Sequence, residues 1–179
     1  RNKNILKIFS KPMFMYPLSA AKKVKQIDKI YVSSDSGYIL KQAKKNGCIP
    51  INRPKYLCND KALLEEAIQH AVNYCQNINS NKITNFIILL CNSICVRSAD
   101  IEEGLKILKK TKKIDTVTTV SKFNNFSPVR AKKIVGQKLL NYIPNKNLKK
   151  FTPLSCDRDK SVHSYYCTQS FTISRAKVL

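Results

Sequence analysis

Apolar positions along this chain recur with two different periods, and the periods alternate. "PLSAAKKVKQI" (residues 17–27) carries apolar residues at helical spacing,. "KIYVSS" (29–34) is β-branched and aromatic and runs into the polar turn "DSG",. "YILKQAKKNG" (38–47) predicts a helix stopped by Gly47, and "CIPI" (48–51) a short extended run,. A long helix follows over "KALLEEAIQHAVNYCQNI" (61–78), with Asp60 placed to cap it and Leu63, Leu64, Ala67, Ile68, Ala71, Val72 and Cys75 on one face,. "FIILL" (86–90) is apolar at every position, as a strand covered on both faces of a parallel sheet would be,. Ala99 to Leu108 returns as a helix, and "DTVTTVS" (115–121) supplies another strand.

Strand and helix in alternation, with helices long enough for right-handed crossovers, predict an α/β fold: a mainly parallel sheet wrapped by helices. After residue 127 the pattern changes. "PVRAKKIVGQKLLNYI" reads as a β-hairpin turning near Gly136, and residues 144–165 form a long polar excursion. "YCTQSFTISRAKVL" then gives a last strand and the start of a helix. With 179 residues and no low-complexity linker, one domain over 1–179 is the simplest organisation,.

Composition narrows the classes. Nothing approaches the roughly 20 apolar residues of a membrane helix. The seven cysteines form an odd set without a C-x-x-C pair, which argues against a secreted disulfide framework and for a reducing, cytoplasmic setting,. Cys91 and Cys95 form a single C-x-x-x-C without a second pair, a weak zinc signal. The net charge of +22 suggests an anionic partner,. The lysines are scattered, however, without the arginine and aromatic interleaving of a nucleic-acid platform, so a basic nucleic-acid-binding module is the less favoured reading.

In open α/β sheets ligands sit outside the carboxyl ends of the strands. Three polar loops leave such ends here: "SSDSG", "NRPKYLCND" and "CNSICVR". Arg53 precedes a proline, which biases it to an extended conformation and fixes its approach. Asp35, just past a strand end, is either a turn-forming side chain or part of a pocket. Neither Cys91 nor Cys95 has the paired histidine that nucleophilic chemistry needs, so both read as small buried fillers.

Taken in order, "RNKN", "KPMFMYPLSAAKK", "IYVSSDSGYI", "INRPKYLCND", "LLCNSICVRSADIEEGL", "DTVTTVS" and "SFTISR" resemble the acylneuraminate (CMP-nonulosonic acid) cytidylyltransferases across nearly the whole chain. The resemblance implies a nucleotide-diphosphosugar transferase fold and the joining of CTP to an acidic nine-carbon sugar, with release of pyrophosphate. It implies Lys3 and Asn4 against the triphosphate and ribose, and Arg53 at the cytosine, with Asp35 in the nucleotide pocket. On the sugar side it implies Arg158 at the carboxylate, with Cys91, Asn92 and Ser93 as the sugar-facing loop. For Arg53 the alternative is a surface salt bridge, and for Arg158 a pairing with Asp157 or Asp159.

Many sialic-acid members carry "QPTSP" where this chain has Cys91 to Cys95. That difference, with "SCDRD" (155–159), is more similar to the branch handling legionaminic or related acids. The family's glycine- and basic-residue-rich phosphate loop precedes its "KN" pair, and its paired metal-binding aspartates follow the equivalent of the last residue given. The chain therefore reads as incomplete at both ends and, taken alone, as inactive. The resemblance further implies Mg²⁺ and a homodimer; the competing class is a non-catalytic nucleotide-binding relative.

Overall fold

The computed structural model describes residues 3–122, 127–151 and 163–179. The chain divides into two compact units, residues 1–118 with 169–179, and residues 119–168.

The larger unit opens on a short 3-10 turn, Lys3–Ile5, and an antiparallel ribbon of β1 (Lys7–Ile8) and β2 (Lys11–Pro12). The ribbon turns through Phe9 and Ser10, both with positive φ, the backbone that a two-residue hairpin demands,. Helix α1 (Met15–Lys22) ends earlier than its apolar spacing predicts. Bonds of the i to i+3 kind, Val24 N to Ala21 O and Ile27 N to Val24 O, tighten the chain there,. Strand β3 (Tyr31–Ser34), helix α2 (Gly37–Lys45) and strand β4 (Ile49–Asn52) form a βαβ unit, with β3 and β4 parallel. Gly47 ends this helix with φ +73°, as its position in the sequence predicts,.

Helix α3 (Leu64–Ile78) corrects one expectation: Asp60 does not cap it. Asn59 makes the turn instead, its Oδ1 accepting from the backbone N–H of Lys61 and Ala62 at 2.8 and 3.0 Å. Glu66 then reaches back to accept from Leu63 N–H at 3.1 Å,. The helix starts three positions later than expected, which leaves Leu63 and Leu64 exposed and Ala67, Val72 and Cys75 buried.

Strand β5 (Asn85–Leu89), helix α4 (Ser98–Lys110) and strand β6 (Thr116–Lys122) follow, and the last strand, β9 (Tyr165–Arg175), lies between β5 and β6. The α/β class holds. The strands do not form one mainly parallel sheet, however: β3 and β4 pair parallel, whereas "FIILL" pairs antiparallel with β9 in a separate three-stranded sheet. β9 reaches β5 from the far end of the chain, so this pairing is not the local strand–helix–strand crossover that the alternation predicts,. Ile87 stands opposite Ile173 and Leu89 opposite Phe171. Phe171 and Ile173 pack with Ile101 and Leu108 of α4 and with Ala20 and Val24 into the main core. Gly104 lets α4 come this close: a Cβ there would stand 2.8 Å from Ile173 Cδ1 and 3.2 Å from Phe171 Cε2,. A second core joins Leu18, Ala43 and Cys48 with Met15, Ile30 and Val32 beneath the β3–β4 pair.

The smaller unit holds the predicted hairpin, β7 (Lys132–Val135) and β8 (Lys138–Asn141), turning at Gly136 with φ +60°. Its apolar residues are open to solvent, Ile134 at 77% and Leu139 at 68%. A four-residue helix, α5 (Asn145–Leu148), follows. Among the described residues no helix is long and apolar enough to cross a membrane.

Candidate functional site

The parallel pairing of β3 with β4 brings the ends of both strands to one place, and the loops leaving them line a cleft of about 570 Å³. Its walls are Asp35, Asn52, Arg53, Pro54, Lys55 and Cys58. "SSDSG" folds as a turn because Ser34, buried, accepts from Ser36 N–H at 3.1 Å, while Ser36 stands as the N-cap of α2. Serines make these turn bonds, so Asp35 is left exposed at the lip of the cleft. Asp35 lines the cleft.

Arg53 continues the β3–β4 ladder, its N–H donating to Ser34 O at 3.0 Å. The guanidinium folds back on β3: Nε donates to Ser33 Oγ at 3.3 Å and Nη2 to Ser33 O at 3.0 Å. Pro54 and the 3-10 turn Lys55–Leu57 carry the chain round, and the Cys58 thiol closes the loop by donating to Pro54 O at 3.1 Å. Among the described residues no carboxylate pairs with Arg53. Two cations, Arg53 and Lys55, face one carboxylate, Asp35, and the cleft favours anions,.

The loop after β5 lies within electrostatic reach. Burial pushes the Cys91 thiol up, and the Arg53 charge opposes that rise,. Cys91 is half-buried and stays a neutral thiol. Cys95 is exposed, so the expectation of two buried fillers fails for it: the turn in which Ser93 N–H meets Leu90 O carries Cys95 outward. Asn92 is exposed and Ser93 half-buried. Arg97 stands as the N-cap of α4 and is consumed by Asp100, with Nε to Oδ2 at 2.9 Å and Nη2 to Oδ1 at 2.6 Å.

Asp35 and Arg53 thus share the cleft with Cys91 close by, whereas Lys3, Asn4, Asn92 and Ser93 are not among its walls. Lys3 and Asn4 lie on the first 3-10 turn, where Asn4 O accepts from Phe14 N–H at 3.1 Å. Arg158 lies outside the described residues. The sequence pattern gave no reason to single out Ser33, Asn52, Lys55 or Cys58. The available signal was their place in the same two loops, with Ser33 in register opposite Ile51. Among the described residues no group of three or more His, Cys, Asp or Glu could hold a metal ion, and Asp35 alone is a weak ligand set,.

Residues 1–135 match the family described as cytidylyltransferase. A curated relative from Helicobacter pylori, "Pseudaminic acid cytidylyltransferase and UDP-2,4-diacetamido-2,4,6-trideoxy-beta-L-altropyranose hydrolase", is 30% identical over 135 residues, 73% of this chain and 25% of that one. An N-acylneuraminate cytidylyltransferase from Escherichia coli is 30% identical over 129 residues, 72% of this chain and 30% of the relative. The chain therefore spans between a quarter and a third of the length of these relatives. Among solved structures, CMP:2-keto-3-deoxy-manno-octonic acid synthetase complexed with CTP aligns with a TM-score of 0.64. That alignment covers 98% of this chain and 68% of the other at 15% identity, a likeness of fold.

Proposed function

Because this chain belongs to the cytidylyltransferase family, we propose that it takes part in joining CTP to an acidic nine-carbon sugar, giving the CMP-sugar and pyrophosphate. The observation that carries this reading is Arg53, held at the end of β4 by neutral acceptors, so that a full positive charge and unspent donors line the cleft. Such a guanidinium suits a base rich in acceptors or an anion. The relatives named for pseudaminic acid and N-acylneuraminate support an acidic sugar and widen the choice beyond the legionaminic type.

In this reaction the sugar's anomeric hydroxyl attacks the α-phosphorus. A phosphorus–oxygen bond forms there and the hydroxyl proton passes to solvent, the bond to the bridging oxygen of the β-phosphate breaks, and pyrophosphate leaves with that electron pair. Positioning and charge neutralisation dominate such transfers. Arg53 holds the base, Lys55 adds positive charge beside it, and Lys3 and Asn4 face the triphosphate and ribose. Arg158 takes the sugar carboxylate, and Cys91, Asn92 and Ser93 face the sugar. Mg²⁺ arrives with the triphosphate; the described residues do not make a site for it, and no step here is assigned to it. The working form is a cytoplasmic homodimer; the exposed apolar side chains of the β7–β8 ribbon support the dimer, since a two-stranded ribbon gains stability by adding a partner surface,.

The test is pyrophosphate release by the full-length protein from CTP, UTP, ATP and GTP, each with a panel of nonulosonic acids and Mg²⁺. Release that needs both CTP and an acidic sugar is expected. CTP binding without release from any sugar would favour a non-catalytic relative. Nucleic-acid binding with no nucleotide binding would favour a basic module.

A further inference from the structure

An arginine side chain offers five N–H donors in a fixed fork. Two lie side-on, the Nε–H and the Nη2–H next to it; two more, one each from Nη1 and Nη2, point forward along the end of the group. In Arg53 both side-on positions are occupied by one residue, Ser33, whose hydroxyl takes Nε at 3.3 Å and whose carbonyl takes Nη2 at 3.0 Å. The end-on pair has no partner among the described residues. Ser33 is itself fixed, because β3 is laddered to β4 with Ser33 opposite Ile51 and Ser34 opposite Asn52. The backbone of Arg53 is also fixed, by its bond to Ser34 O and by Pro54. The direction of the guanidinium is therefore set before a ligand arrives, and Arg53 stands in the cleft wall.

We infer that Ser33 is a positioning residue: it presents the end-on donors of Arg53 to the cleft, and this pairing makes the site select cytosine over uracil. The inference rests on the proposed function. Cytosine offers two adjacent acceptors, ring N3 and O2, which an end-on guanidinium satisfies together. Uracil carries N3–H in the same place, a donor facing a donor. A site built to pair a polar edge rejects the analogue that cannot pair, because its own groups are then left unmatched. A guanidinium free to swivel would lose this discrimination by meeting O2 alone, which both bases share. The Ser33 hydroxyl, with its single bond to Nε, restrains that swivel.

The test uses Ser33→Ala, which removes the hydroxyl, and Ser33→Thr, which keeps it, each compared with the unsubstituted protein at matched melting temperature. Without any ligand, the ¹⁵N-resolved Nε–H signal of Arg53, identified by its loss in Arg53→Lys, should exchange slowly with water in the unsubstituted protein and in Ser33→Thr. It should exchange much faster in Ser33→Ala. In turnover by the full-length protein, Ser33→Ala should raise KM for CTP about tenfold, as loss of roughly 1.4 kcal/mol of pre-organisation would. It should change kcat far less and reduce the preference for CTP over UTP, and Ser33→Thr should restore both. An unchanged CTP to UTP ratio in Ser33→Ala overturns the inference, as does an Nε–H that exchanges equally fast in all three proteins. Slow exchange released by Ser33→Ala in a protein that binds no cytidine nucleotide would retain the positioning and sink the cytosine reading together with the proposed function.

Discussion

Arg53 and Arg97 stand in the loops that follow two strands of this molecule, β4 and β5, and they are spent differently. Arg53 after β4 donates to the hydroxyl and carbonyl of Ser33, both neutral, and keeps its whole charge. Arg97 after β5 donates to both oxygens of the Asp100 carboxylate, with its side chain 77% exposed. The first is half-buried and has donors to spare in a cleft; the second is a neutralised pair in water. Equal residues in equivalent loops thus differ in what they can offer a ligand, and the difference comes from the acceptor standing next to each one.

That contrast can be broken most sharply at Arg53. Arg53→Ala should weaken CTP by about 1.5–3 kcal/mol, roughly ten- to 150-fold, while the acidic sugar is much less affected. Calorimetric titration of each ligand would decide it, and equal losses for both would mean that Arg53 does not face the base.

An intermediate effect is expected at Gly104, which seats the helix bearing Arg97 and leaves the β3–β4 cleft untouched. A methyl there meets Ile173 Cδ1 at 2.8 Å, and Phe171 offers little room to retreat. Gly104→Ala should cost about 1–3 kcal/mol of stability in urea unfolding, more than the gain from removing a helix glycine. Retention of nucleotide affinity in the folded variant would separate the two loops energetically.

The smallest effect belongs to Arg97. Arg97→Ala should leave CTP affinity within about twofold, since an exposed pair contributes little. Its trace should appear in acid. The Arg97 hydrogen bonds hold the Asp100 carboxyl below its ordinary range. The stability this gives is present above the ordinary carboxylate range and is lost as pH falls through the lowered value, so the two proteins should converge in acid unfolding. A variant that lost CTP at neutral pH would overturn the contrast.

The order of helices and strands was legible because periodicity is local: Gly47 stops α2 and Gly136 turns the ribbon where the sequence places them. Pairing was less so. Nothing local in "FIILL" distinguishes a parallel neighbour from β9, which arrives from the far end of the chain. Asp60 looked like a cap by residue type, but Asn59, one position earlier, took the free N–H groups first. In the site, Arg53 was legible from the proline beside it. Ser33 was not, because its role depends on strand register, and Asp35 reached the cleft only because Ser34 and Ser36 made the turn in its place. Cys91 and Cys95, alike in sequence, part company through a turn that puts one half in the protein and the other in water.

The central place of β9 bears on how the protein is made. Its residues pair with β5 about eighty to ninety positions earlier in the chain. Until they leave the ribosome, β5 and β6 lack the strand that belongs between them, and the apolar run from Phe86 to Leu90 has no edge partner. The loop that must close is long, though its entropic cost grows only with the logarithm of its length. The β3–β4 unit needs no such wait, since its pairing is nearly local. The β3–β4 unit is therefore expected to form first on the nascent chain, and the β5–β9–β6 sheet to be the late step, the one most exposed to misfolding.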